Sequence, residues 1–256
     1  MIKQLLKQIR YKFFVKSAVF QNPSVIRAES WLMKQNVYFR PSFIIEPDFN
    51  KSQVTKQLFS LAQKAIATLG KVSVSEVARR TKSRRAKANI EAIPGDHYFL
   101  LAALVKILRP KLVVEIGTAT GASALCMKKY LPRDGKIITY DVVPWEKYPD
   151  AILRKKDFDE QLEQRVLDLT NPSIQESERR ILENANFIFL DAEKDYEMEA
   201  KFIKLLKKTK FKNKPFVFFD DIRFMEMLEF WRSIKHPKID LSSFGHWSGS
   251  GLVQWF

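Results

Sequence analysis

Six acidic residues, Glu115, Asp141, Asp168, Asp191, Asp220 and Asp221, stand within or at the ends of short apolar runs in this 256-residue chain, and their repeated placement could do chemistry. The first of these runs is Leu112, Val113, Val114 and Ile116, the β-branched stretch expected of a strand buried on both faces, and Ala119 to Tyr130 has the composition and spacing of a helix. Gly117 and Gly121 punctuate the junction between them. Lacking Cβ, Gly117 lets the turn take dihedrals closed to other residues and lets a ligand approach the backbone, while the helix N-terminus beyond offers N–H groups to a carboxylate or phosphate. The dinucleotide fingerprint G-x-G-x-x-G and the phosphate-cradling Gly-Lys-Ser/Thr are both missing, which argues against those two ligand classes.

The elements that must position these acids follow from the pattern. Runs Lys136 to Asp141, Gln164 to Asp168, Phe187 to Asp191 and Phe216 to Asp220 alternate with helical stretches, and each ends in aspartate. In an open α/β sheet ligands bind outside the carboxyl ends of the strands, so the acids are expected to ring one crevice. Any one of them taken singly could instead cap a helix or shape a turn. Asp191, Asp220 and Asp221 would lie at adjacent strand ends as three hard oxygen ligands, a set that suits Mg²⁺ or a similar divalent ion.

The segment EIGTATGAS, Glu115 to Ser123, resembles motif I of class I S-adenosylmethionine-dependent methyltransferases, particularly small-molecule O-methyltransferases whose motif reads EIGT-x-x-G-x-S. The resemblance implies a Rossmann-like α/β fold with a mostly parallel central sheet and a C-terminal antiparallel hairpin. It implies S-adenosylmethionine as cofactor, with Gly117 and Gly121 shaping the turn and Asp141 accepting both ribose hydroxyls. Asp168 would lie near the adenine amino group, Glu115 would hold the methionine amino group or orient the loop, and Thr118 and Ser123 would serve the methionine carboxylate; Asp191 counts with the cofactor set as well as the metal set. Further on, FIFLDAEKDYE and PFVFFDDIRF resemble catechol-type and caffeoyl-coenzyme-A-type O-methyltransferases, in which an Asp-x-x-Lys motif and a later Asp-Asn pair bind the metal. Here the pair is Asp220-Asp221. Antibiotic-sugar O-methyltransferases resemble the chain at that pair and carry Asp-Gly-Asp where this sequence has Asp191-Ala192-Glu193. Tyr196 lies five residues beyond Asp191, whereas the catechol-type pattern places a substrate-contacting tyrosine six beyond.

The implied reaction is an in-line displacement in which an acceptor oxygen attacks the sulfonium methyl, so the site must supply alignment and help the acceptor hydroxyl lose its proton. Lys194 is the base candidate by likeness to the catechol type, Glu193 by likeness to the sugar type, and the sequence does not choose between them. The C-terminal stretch HPKIDLSSFGHWSGSGLVQWF holds two strands joined by a glycine- and serine-rich turn; His246 and Trp247 either reach the acceptor pocket or build a tight structural turn. His97 and Tyr98 either border the site or pack the start of the helix that leads into the first strand.

Charge is unevenly spread. Residues 1–110 carry 20 lysines and arginines against six acids, and residues 111–256 carry 24 against 23. The expected division is a basic, mainly helical extension over 1–92 and the methyltransferase domain over 93–256. In the extension, the first twenty residues interleave lysines with large apolar groups, which suits an amphipathic helix packed on the domain, on a second subunit or on a membrane surface. The cluster RRTKSRRAK, Arg79 to Lys87, would contact phosphates, an acidic substrate or an anionic membrane, or form a solvated helical face. Pro41 to Asn50 reads as a connector, and Val54 to Leu69 as a helix ending near Gly70. Cys126 is the only cysteine, which excludes an intrachain disulfide and fits a reducing cytoplasm; no signal-cleavage or bilayer-spanning segment is expected. The leading expectation is a small-molecule O-methyltransferase. The alternatives are an RNA methyltransferase, against which stands the absence of an Asn/Asp-Pro-Pro-Tyr/Phe motif and of an RNA-binding module, and a noncatalytic interaction protein on the same scaffold.

Overall fold

The computed structural model describes residues 54–256 apart from 92–95, 175, 195, 225, 226 and 246. The expectations for the first twenty residues, for Pro41 to Asn50 and for His246 lie outside the described residues.

Seven strands form one sheet: β1 (Leu112–Ile116), β2 (Lys136–Asp141), β3 (Leu162–Val166), β4 (Phe187–Leu190), β5 (Phe216–Asp220), β6 (Lys238–Asp240) and β7 (Ser250–Gln254). Their order is β3-β2-β1-β4-β5-β7-β6, parallel through β5, with β7 antiparallel to both neighbours. The expected parallel sheet and closing antiparallel hairpin are therefore both present.

The continuous apolar runs are explained by burial on both faces, since alternate strand residues point to opposite sides. Val113, Phe187, Phe189, Phe216 and Phe218 face one core, completed by α1 (Lys56–Thr68), α2 (Ser75–Ala78), α3 (Arg84–Glu91), α4 (His97–Leu108) and α5 (Ala122–Lys128). Val114, Ile188, Leu190, Val217 and Phe219 face the other, covered by α6 (Glu176–Asn184), α7 (Glu197–Lys208) and α8 (Met227–Ser233). By this alternation Glu115 shares the side of Val113.

Residues 54–91 join the first core. Thr55 caps α1 by accepting from the Leu58 amide at 3.1 Å and also donates to Gln254 on β7. In the basic cluster, Arg80 makes a two-pronged pair with Asp157 at 2.7 Å, while Arg79, Lys82, Arg84, Arg85 and Lys87 are exposed. Two local expectations change. Between β2 and β3 there is no α-helix: Pro144 and Pro149 flank a short 3₁₀ turn at Trp145–Lys147, since proline breaks helical bonding, and a second 3₁₀ turn follows at Lys155–Asp157. Strand β3 ends at Val166, so Asp168 lies two residues beyond it in a turn of its own. Among the described residues no helix is long and apolar enough to cross a membrane.

Candidate active site

The turn after β1 is built by close approach. Gly117 has φ 100°, and a Cβ there would lie 1.9 Å from the Asp191 carbonyl oxygen, so glycine is required twice over. Its amide donates to the Tyr140 carbonyl at 2.8 Å, and the Asp191 amide donates to the Ile116 carbonyl at 2.9 Å. The turn thus binds the ends of β2 and β4 into one crevice. Ala119, at φ 42°, takes a left-handed conformation that is strained for a residue with a side chain, and its amide donates to Asp141 Oδ2 at 2.9 Å. Gly121, at φ 81°, opens α5 beneath Leu153, whose side chain fills the space a Cβ would need.

Around this turn the resemblance-derived cofactor residues converge unevenly. Glu115 is fully buried, with no cation paired to its carboxylate among the described residues and only the hydroxyls of Ser123 and Thr139 beside it. Burial pushes its pKa up to about 7; the nearby hydroxyls of Ser123 and Thr139 oppose the rise, and the charges of Asp191 and Asp141 add to it. A buried carboxylate in this position suits an ammonium ligand. Ser123 is buried at the start of α5, whereas the Thr118 hydroxyl is shared with that of Thr139, 2.7 Å away inside the sheet. Asp141 accepts from the amides of Ala119 and Val143 and from the Tyr148 hydroxyl. Asp168 accepts from the amide and hydroxyl of Thr170, both at 2.7 Å, the pattern of an Asx turn.

Beyond Gly117 lies the acid cluster. The register pairs Leu190 with Phe219, so one step further along brings Asp191 opposite Asp220. Ligand oxygens of Asp191, Asp220 and Asp221 all lie within 4.8 Å of one another. Asp221 holds φ 55°, a conformation that aspartate tolerates better than most residues. Lys194 is buried among the carboxylates, bonded to Asp191 and 3.3 Å from Asp221 Oδ2. Burial works to lower the Lys194 pKa, but Asp191, Asp221 and Asp220 outweigh it and hold the ammonium well above its ordinary range. Asp191 is pushed up by burial and by the like charges of Asp220 and Asp221, against the pull of Lys194. Three carboxylates gather about the Lys194 ammonium here. Hard oxygens at this spacing fit a divalent cation, for which Asp191, Asp220 and Asp221 would be the protein ligands.

Neighbouring elements supply side chains that single out this crevice. His97, at the start of α4, packs against Phe189 and Phe218 with its Nδ1 3.5 Å from Asp220 Oδ1. Tyr98 beside it is raised in pKa by burial first, then by Asp191, Cys126, Asp220 and Glu115. Both residues therefore border the site as well as packing the helix. Ser248 donates to Asp221, and its carbonyl accepts from the Arg223 amide at 2.8 Å. The sequence pointed to this loop through His246 and Trp247 but missed Ser248; the signal was Gly249, whose φ of 109° and absent Cβ let the loop press on Ile222 and Arg223. Trp247 is partly exposed, with its ring edge-on to Phe224. Tyr196 opens α7 two residues beyond Lys194, and its ring meets Phe230 in a groove between α7 and α8 lined by Lys204 and Lys207. Glu193 is exposed, on the side where its charge reaches Tyr148.

The sheet order, the glycine turn after β1 and the acids at the strand ends define a class I methyltransferase scaffold. The chain belongs to the O-methyltransferase family, whose family model matches residues 64–217. It is similar to the Dictyostelium discoideum protein named "Probable caffeoyl-CoA O-methyltransferase 3", 24% identical over 165 residues that cover 60% of this chain and 63% of that protein. The caffeoyl-CoA O-methyltransferase of Medicago sativa is 31% identical over 114 residues, covering 42% of this chain and 44% of that protein. The chain thus spans less than two thirds of the length of these curated relatives. The crystal structure of the SAH-bound Podospora anserina methyltransferase PaMTH1 superposes with a TM-score of 0.50 at 14% identity, covering 94% of this chain and 99% of that one, a likeness of fold.

Proposed function

We propose that the protein transfers the methyl group of S-adenosylmethionine to a hydroxyl oxygen of a small molecule, aided by a divalent cation. The observation that carries this reading is the convergence of Asp191, Asp220, Asp221 and Lys194 in the crevice that also holds the Gly117 turn, with Asp191 in backbone contact with that turn. Glu115 would pair with the methionine ammonium, Asp141 with the ribose hydroxyls, Asp168 with the adenine side, and Ser123 with the methionine carboxylate. When bound, a divalent ion supplies positive charge that lowers the pKa of an acceptor hydroxyl and anchors its oxygen. The chain's own residues orient the acceptor against the sulfonium methyl and exclude water, and Trp247 offers a hydrophobic wall. Of the two base candidates, Lys194 stands among the carboxylates and Glu193 outside them. Base action by Lys194 requires that the carboxylates now holding its proton be neutralised otherwise.

The reading extends to a cytoplasmic location and to a basic N-terminal part that meets a second subunit or an anionic surface. The test is methyl transfer from labelled cofactor to a panel of aromatic diols, thioesters, sugars and RNA. A methylated small-molecule hydroxyl is the expected product. Transfer to RNA alone would replace this reading with the RNA enzyme, and cofactor binding without transfer to any acceptor would favour an interaction protein. Lys194→Ala should lower turnover at saturating metal more than Glu193→Ala; the reverse order would move the base to Glu193.

A further inference from the structure

The segment between β2 and β3, where the fold has loops in place of a helix, wraps back over the glycine turn. The amides of Ile152 and Leu153 donate to the Thr120 carbonyl at 2.9 and 3.2 Å, and the Leu153 side chain covers Gly121. Tyr148, half-buried in the same segment, lays its hydroxyl across Asp141, 3.3 Å from Oδ1 and 3.2 Å from Oδ2. Burial, the Asp141 charge and the bond to it, and Glu193 push the Tyr148 phenol up to about 12, so its proton stays in place as a donor.

The acceptor capacity of Asp141 sets the conflict. An ionised carboxylate offers about four acceptor positions. The Ala119 amide takes one on Oδ2 and the Val143 amide one on Oδ1, at 2.9 and 3.0 Å. The Ala119 amide belongs to the turn after β1 and the Val143 amide to the tight turn that closes β2 two residues beyond Asp141, so both stay with the carboxylate. One position per oxygen remains, and the Tyr148 hydroxyl lies across the two. A ribose gripped through both hydroxyls needs the same two.

We propose that Tyr148 is a latch on the cofactor site: its hydroxyl occupies the ribose-binding positions of Asp141 in the empty protein and must be displaced by the ribose diol of an incoming adenine nucleoside. The inference rests on the assignment of Asp141 to the ribose. The latch keeps a carboxylate satisfied when no nucleoside is bound, at the expense of affinity. Swinging Tyr148 away also shifts the segment that roofs Gly121, so binding and release of nucleoside are coupled to opening of this roof.

The test is calorimetric titration of the full chain with S-adenosylhomocysteine. Tyr148→Phe keeps the ring and removes the competing hydroxyl, and should tighten binding by about threefold to tenfold, the range of one net hydrogen bond. Asp141→Asn should weaken binding, and adding Tyr148→Phe to it should give a smaller gain than in the wild type, because a bond to a neutral amide oxygen is weaker than one to a carboxylate. Unchanged or weaker binding by Tyr148→Phe, in a protein where Asp141→Asn does weaken binding, would overturn the latch alone. Full affinity in Asp141→Asn would overturn the ribose assignment and the latch with it. Circular dichroism of each variant confirms that a change in affinity is not loss of fold.

Discussion

Glu115 ties folding to pH. Its ordinary carboxyl pKa of 4.5 rises to about 7 in the folded chain, so the fold accepts the neutral form. The associated stability is fully present below pH 4.5 and is lost as pH rises through 7, up to about 3 kcal/mol. Glu115→Gln should therefore stabilise the cofactor-free protein at pH 8, flatten its stability between pH 5 and 8, and weaken S-adenosylmethionine binding. Denaturant melts at both pH values, with a binding titration beside them, measure this; an unchanged pH slope would mean that Glu115 is not the group responsible. Much of this site was legible in residue types, because an acid inside an apolar strand has few other uses. The Tyr148 and Ser248 contacts were not legible: hydroxyls in loops carry no periodic signal, and their partners lie 7 and 27 residues away.

At the scale of elements, the strand–turn–helix unit decides whether a site exists. Gly117 meets the Asp191 backbone where open ligand space was expected, so a side chain there disturbs both halves of the crevice at once. Gly117→Ala should cost on the order of 1–3 kcal/mol in backbone strain alone and abolish cofactor binding. Thermal melts and calorimetry check it; wild-type affinity in the variant would contradict the turn's assigned role. The strands themselves were readable, β2 and β5 to the residue, because two-sided burial leaves an unbroken apolar run ended by an acid. The β2–β3 connection was misread as helical. Its prolines argued otherwise, but the alternation of strands and helices elsewhere suggested one more crossover helix. Asp168 likewise lies past its strand because RVLDL continues the apolar pattern into a turn.

Across the described residues, a seven-stranded sheet with an apolar core on each face holds a few strand ends in register, which is why fold class could be read from the alternation of runs before any side chain was placed. The excess positive charge precedes β1, and the structure pairs Arg80 with Asp157 while Arg79, Lys82, Arg84, Arg85 and Lys87 of its cluster stand at the surface. The proposed mechanism depends on cation-assisted methyl transfer served jointly by Asp191, Asp220 and Asp221. Its most direct test is turnover of wild type and Asp220→Ala on the same acceptor, with and without EDTA and with Mg²⁺ restored, alongside the affinity for S-adenosylmethionine. Chelation and Asp220→Ala should each lower turnover by about 100-fold or more while cofactor affinity changes little, and Mg²⁺ should rescue the chelated wild type but not the variant. Full turnover in excess EDTA, from protein that carries no metal, would contradict the account.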